Sequence, residues 1–354
     1  MNYRKGRGAQ INTHNHFLKH EHEIRDDFLN YCALENEKSE VNKTQYLQIY
    51  PKTILNKVNS PDIGVAYSMN PYQGCEHGCI YCYARNTHEY WGYSAGLDFE
   101  RKILYKANAA DLLEKKIRSK NWRPQNIMFS GNTDCYQPIE KKIEITRKML
   151  AVLLKLKHPV SIITKNALIL RDLDILTKMA ALNLVNVSIS ITTLSEQTRS
   201  ILEPRTTTIK KRLETVEVLT QNAIPVTVMV APIIPAINSH EIISIVKKVS
   251  ELGATSVAYT IVRLNGAIGK IFTDWVQKTY PNRADKILHQ IQDCHNGNLN
   301  DSRYQKRMSG QGKIAEQIKL QFELAKNRYL KNKEKLVLDF SRFDKDQKNQ
   351  ISLF

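Results

Sequence analysis

At 354 residues, with 42% hydrophobic and 25% charged side chains, the chain is long enough to bury a substantial core and is balanced like a globular protein, which excludes a disordered or low-complexity polymer. Its apolar runs, such as "MLAVLL" at 149–154, fall far short of the roughly 20 residues that span a bilayer, and no apolar stretch follows the basic N-terminus, so neither a membrane span nor a secretory leader is expected. The 52 Lys and Arg exceed the 35 Asp and Glu by 17, which leaves polyanion binding open beside a solvated lysine surface.

A cytoplasmic protein is expected, whose six cysteines would be ligands or reactive thiols and not a disulfide framework. Along the chain, residues 1–60 read as a polar N-terminal extension. It carries His14, His16, His20 and His22, and helical spacing would put His16 and His20 on one face as a weak metal pair; a solvated arm is the simpler reading. Cys32 and Cys294 read as plain thiols.

From 61 to 270 apolar runs of strand length alternate with amphipathic segments. The strands are expected at 64–70, 126–131, 160–165, 185–191, 225–231 and 256–262. Between them, segments such as "ANAADLLEKKIRS" and "IEKKIEITRKMLAVLLKL" repeat apolar residues every three or four positions behind a Ser, Thr, Asn or Pro. Six strand–helix units predict an α/β fold with a parallel sheet covered on both faces, either closing toward a barrel or opening into a doubly wound sheet. In a barrel the functional groups gather at the carboxyl ends of the strands. Those ends carry "GNTD", "TKN", "SISITT" and "APIIP", which read as the lining of one site. Residues 271–354 are expected to be mostly helical.

The most specific signal is "CEHGCIYCYAR" at 75–85, where Cys75, Cys79 and Cys82 follow the first expected strand. Thiolates select zinc or an iron–sulfur cluster, and a short loop brings three of them to one centre. A structural zinc site needs four closed ligands, and no second cysteine pair exists; His77 is a crowded fourth candidate. Three thiolates on a cluster of four irons would leave one iron open, as catalytic metal sites do.

This loop, with Tyr81 before the last cysteine, resembles the radical S-adenosylmethionine superfamily. Together with "GRGAQIN", "NPYQGCEHGCIYCYAR", "SGNTDCYQPIE", "ITKNALILRDLDIL", "LEPRTTTIKKRLE" and "VMVAPIIPAIN" it is similar to the spore photoproduct lyase-like branch, particularly members of unassigned function. The resemblance implies a partial (β/α)6 barrel of TIM type. It also implies a [4Fe-4S] cluster on Cys75, Cys79 and Cys82, with S-adenosylmethionine bound to the fourth iron. An external electron donor of flavodoxin or ferredoxin type would reduce the cluster, and a 5′-deoxyadenosyl radical would abstract hydrogen from substrate.

The same resemblance places Tyr81 near the adenine and Asn132, Thr133 and Asp134 near the methionine amino group, although the last two would equally cap a helix. Lys165 would hold the cofactor carboxylate. Ser188 and Ser190, which share a strand face, would meet the ribose hydroxyls or that carboxylate. Arg205 would pair with an acidic group, either in the site or as a salt bridge to Glu203 or Glu140. The lyase uses a thiol as hydrogen donor, which makes Cys135 a catalytic candidate against a buried hydrophobe. Three readings of the whole follow: a radical enzyme on a nucleic acid lesion, one on a peptide or small metabolite, or a non-catalytic iron–sulfur or zinc protein that binds nucleic acid.

Overall fold

The structure, a computed structural model, describes residues 4–18, 43–331, 333 and 337–346; His20, His22 and Cys32 lie outside them. Its strands, in chain order, are β1 (Gln45–Ile49), β2 (Leu55–Lys57), β3 (Tyr67–Met69), β4 (Tyr72–Gln73), β5 (Lys102–Lys106), β6 (Ile127–Phe129), β7 (Val160–Thr164), β8 (Val185–Ser190), β9 (Val226–Ile233) and β10 (Ser256–Ile261).

The six strands expected from the apolar runs are β3 and β6 to β10. They pair as parallel neighbours in chain order, with β2 antiparallel on the outer side of β3. Among the described residues the sheet therefore has two edges, β2 and β10, and forms a partial (β/α)6 barrel. The register explains the composition of the strands. Phe129, Ile162, Val187 and Val226 lie side by side across four strands and are all fully buried. The alternate residues Ile163, Ser188 and Thr227 form a row on the opposite face, because successive side chains of a strand point to opposite sides.

Helices connect the strands and cover the apolar face: Ala109–Ile117 packs on Ile145–Lys155, and Lys313–Tyr329 packs on Ile242–Glu251. The segment "IEKKIEITRKMLAVLLKL", which reads as one helix, is two. Glu144 takes a left-handed conformation (φ 57°) between Glu140–Ile143 and Ile145–Lys155. After β10 come the helices Ala267–Thr279, Ala284–Cys294 and Lys313–Tyr329. No helix among the described residues is long and apolar enough to cross a membrane.

Two features depart from the sequence reading. A second sheet, ordered β1-β5-β4, lies beside the barrel. The stretch read as a polar extension supplies β1 and β2, and Ala9, Gln10 and Asn15 within it are buried.

Candidate active site

The cysteine loop begins where β4 ends. Its backbone is held from every side: Cys75 N–H donates to Phe99 O (2.8 Å), Ile80 N–H to Leu202 O (3.0 Å) and Arg205 N–H to His77 O (3.2 Å). Glu76, buried within the loop, accepts from Ile139 N–H (2.9 Å) and Tyr46 O–H (2.9 Å), and its own N–H donates to Gln137 Oε1 (2.9 Å). Behind the loop, the fully buried Arg85 donates to the carbonyls of Cys79 (3.0 Å) and Gly78 (3.1 Å) and pairs with Glu100 at 2.6 Å.

Glu100 in turn accepts the N–H groups of Gly8 (3.2 Å) and Ala9 (2.8 Å). The N-terminal "GRGAQIN" segment thus closes over the rear of the loop. Position 8 has to be glycine, since a Cβ there would fall 1.7 Å from the Gly78 carbonyl oxygen.

In front of the loop, at the carboxyl ends of the strands, lies a cavity of about 330 Å³. Cys75, Cys79 and Cys82 line it with Tyr81, Asn132, Thr133, Asp134, Lys165 and Ser190. These expected residues share one cavity because parallel strands in sequential order put all their carboxyl ends at one mouth. Ser188 points to the same face one pleat deeper, opposite Ile163, and is not part of the lining.

Burial raises the thiol pKa of Cys75, helped by the nearby Asp134 carboxylate, and burial likewise raises those of Cys79 and Cys82. Ligation by a cation is what would draw thiolates out of so apolar a wall. None of the three is in a disulfide. Among the described residues no three His, Cys, Asp or Glu side chains form a site for a single ion. Three thiols lining one cavity supply the donor set of a multi-iron cluster, whose separate irons take one thiolate each.

The polar wall is ordered by its own hydrogen bonds. Asp134 accepts from Thr164 Oγ1 (2.8 Å), Lys165 N–H (2.8 Å) and Tyr136 N–H (2.9 Å), and His77 Nδ1 lies 3.4 Å away. Burial opposes ionisation of Asp134, but His77 and these donors outweigh it and keep its pKa low. His77 Nε2 faces Asn166 Nδ2 at 3.2 Å, so both ring nitrogens already have neighbours. Asn132 donates to Gln73 (3.3 Å) and Thr87 (3.1 Å), and Thr133 donates to the Tyr72 carbonyl (2.7 Å).

Glu203 is the functional candidate that sequence reasoning missed; "LEPRT" draws attention to its arginine. Its fully buried carboxylate accepts from the Tyr81 hydroxyl, the Arg212 guanidinium and Thr192 Oγ1 (2.9 Å), with Lys165 Nζ at 3.9 Å. Burial alone would raise its pKa, yet the Arg212 and Lys165 charges and the donated hydrogen bonds hold it at about 2. The carboxylate thus fixes Lys165 and Tyr81, whose ring lies 5.9 Å from Nζ, in front of the cysteines.

Two candidates lie elsewhere. Arg205 pairs with Glu76 at 3.5 Å, instead of Glu203 or Glu140, and does not line the cavity. Cys135 is fully buried in the main hydrophobic core and does not reach the cavity either. Its thiol pKa is raised, foremost by burial.

Comparison with known proteins accords with this arrangement. The family model described as the radical SAM superfamily matches residues 69–249. An uncharacterized protein of Mycobacterium tuberculosis is 30% identical over 237 residues, 66% of this chain and 70% of its own. One from Methanocaldococcus jannaschii is 28% identical over 249 residues, 70% of this chain and 88% of its own. Among solved structures, spore photoproduct lyase complexed with dinucleoside spore photoproduct superposes with a TM-score of 0.59 at 14% identity, over 80% of this chain and 79% of that one; the likeness is one of fold. The chain belongs to the radical SAM superfamily and is an enzyme of that class, with the [4Fe-4S] cluster and S-adenosylmethionine that membership implies.

Proposed function

We propose that Cys75, Cys79 and Cys82 hold the cluster, that S-adenosylmethionine occupies the cavity before them, and that the substrate is a nucleic acid. The observation that carries the reading is the convergence of three buried thiols and the polar ends of successive parallel strands on one cavity. Once bound and reduced by an external donor, the cluster and cofactor supply a 5′-deoxyadenosyl radical able to abstract hydrogen.

The chain's own residues do the rest. Lys165, fixed by Glu203, presents a cation to the cofactor carboxylate. Asn132 offers a side-chain oxygen to its amino group, with the Asp134 carboxylate, already satisfied by its own donors, supplying negative charge nearby, and Ser190 a hydroxyl to its ribose. Tyr81, Ile163, Met229 and Ile261 form an apolar wall that excludes water from a reactive radical. Cys135, in this reading, is a core residue.

The net charge of +17 and the lyase-like motifs support the nucleic acid substrate. The test is hydrogen transfer: oligonucleotides deuterated in the sugar and base, intact or ultraviolet-damaged, are incubated with reduced enzyme and S-adenosylmethionine. Deuterium in the recovered 5′-deoxyadenosine supports the reading. Label arriving only from peptides or small metabolites would replace it.

A further inference from the structure

A second, larger cavity of about 910 Å³ opens beside the first and shares Tyr83 and Arg263 with it. Three parts of the chain build it: the N-terminal segment from Ile11 to His16, the helix Tyr83–Trp91, and the turn around Arg263–Gly266 with the first turn of the helix Ala267–Thr279 that follows it. None of the expected cofactor residues lies in it.

Its charge is one-sided. Glu89, the one acid among its lining residues, is buried and engaged by His16 Nδ1 at 2.9 Å. Arg263 is half-buried and makes no hydrogen bond or ion pair among the described residues; burial lowers its pKa, and Arg307 repels it. Asp62, the acid near enough to influence Arg263, is already taken by Arg307 (2.6 Å) and the Gln305 N–H (2.8 Å). Lys270, also without an ion pair among the described residues, adds a second cation on the first turn of its helix, where the N-terminal backbone dipole is also positive.

The cleft also presents an exposed aromatic ring. Tyr90 is 75% exposed and lies against Phe17 with ring centroids 4.8 Å apart.

A guanidinium without an ion pair among the described residues, a second cation and an exposed aromatic ring together match a nucleotide: phosphates and a stacking face. We propose that this cleft is a strand-binding site, in which nucleotides of a single-stranded or unstacked nucleic acid lie beside the cofactor cavity, with Arg263 and Lys270 on phosphate and Tyr90 stacked on a base. The assignment rests on the nucleic acid reading above for what happens in the neighbouring cavity, and the cleft itself is tested without any turnover.

The test is fluorescence anisotropy of a labelled 12-nucleotide single strand with the full-length, cluster-reconstituted protein. Arg263→Gln with Lys270→Gln is expected to weaken binding at least about tenfold. Tyr90→Ala, at a site too exposed to affect folding, is expected to weaken it about tenfold through lost stacking. The charge-matched control Lys319→Gln with Lys326→Gln, on the helix Lys313–Tyr329, should change it less than about twofold. Equal losses in the cleft and control variants, unaltered binding by Tyr90→Ala, or displacement by a polyglutamate peptide of equal charge as effectively as by unlabelled strand would overturn the proposal. Strand binding that follows this pattern in a protein unable to cleave S-adenosylmethionine would leave the cleft standing and remove the radical reading alone.

Discussion

Gly8 and Gly78 touch so closely that no side chain fits between the N-terminal segment and the cysteine loop: a Cβ on Gly8 would sit 1.7 Å from the Gly78 carbonyl oxygen. Residues far apart in sequence thereby form one unit around the cysteine loop. Gly8→Ala is expected to lift the segment off the loop at a cost on the order of 3 kcal/mol. Limited proteolysis should then cut near residues 4–18, and iron retained per chain after gel filtration should fall. Unchanged iron content with a protected N-terminus would contradict this role.

Glu100 links the same two parts through Arg85, and neither side chain of the pair is accessible to water. Glu100→Gln would leave a buried guanidinium without its counter-charge, a loss of roughly 3–5 kcal/mol. Urea unfolding of the variant against the parent measures it; a change below about 1 kcal/mol would show that the pair behaves as if solvated.

Lys165, which lines the cavity before the cysteines, and Glu203, buried behind it, have separable roles. Lys165→Met is expected to weaken S-adenosylmethionine binding at least about tenfold, roughly 1.4 kcal/mol, with little change in thermal midpoint. Glu203→Gln removes the partner of the buried Arg212 and is expected to destabilise the fold itself by roughly 3–5 kcal/mol. Isothermal titration with the cofactor and thermal melting together distinguish the two losses.

Cys135→Ala should cost only about 1 kcal/mol and leave iron content and cofactor cleavage intact, since its thiol lies in the core. Loss of substrate turnover with cofactor cleavage retained would restore it as a hydrogen donor.

Acid sensitivity has a defined source at His158. The ring is fully buried, accepts from Trp122 Nε1 (3.1 Å) and lies 2.8 Å from the Pro159 carbonyl. Burial lowers its pKa to about 4 from the ordinary 6.5. The unfolded chain therefore takes up the proton first, and stability present above pH 6.5 falls as the pH drops toward 4, by at most about 3 kcal/mol. Urea midpoints from pH 7 to 4 should fall less steeply for His158→Phe than for the parent; parallel curves would refute the assignment.

The elements easiest to read from sequence were those whose residues carry their own burial signal. Runs such as "VSIIT" and "VNVSIS" are apolar enough to declare buried parallel strands, and the spacing of Cys75, Cys79 and Cys82 is local. The β1-β5-β4 sheet was not legible, because "QYLQI" is largely exposed and β4 is two residues long. Glu144 ends a helix through its backbone conformation alone, inside an unbroken amphipathic pattern. Pairings such as Arg85 with Glu100 or Arg212 with Glu203 depend on which loops meet, and Ser188 differs from Ser190 by one pleat. The cleft is not legible in the sequence because its walls, around Ile11–His16, Tyr83–Tyr90 and Arg263–Lys270, come together only in the folded chain.

The most direct test is anaerobic reconstitution with iron and sulfide, followed by reduction in the presence of S-adenosylmethionine, for the parent chain and for Cys75→Ala, Cys79→Ala and Cys82→Ala. About four irons per parent chain and formation of 5′-deoxyadenosine are expected, with loss of both in each variant. Zinc in place of iron, or an iron-loaded parent that forms no 5′-deoxyadenosine under reduction, would contradict the assignment.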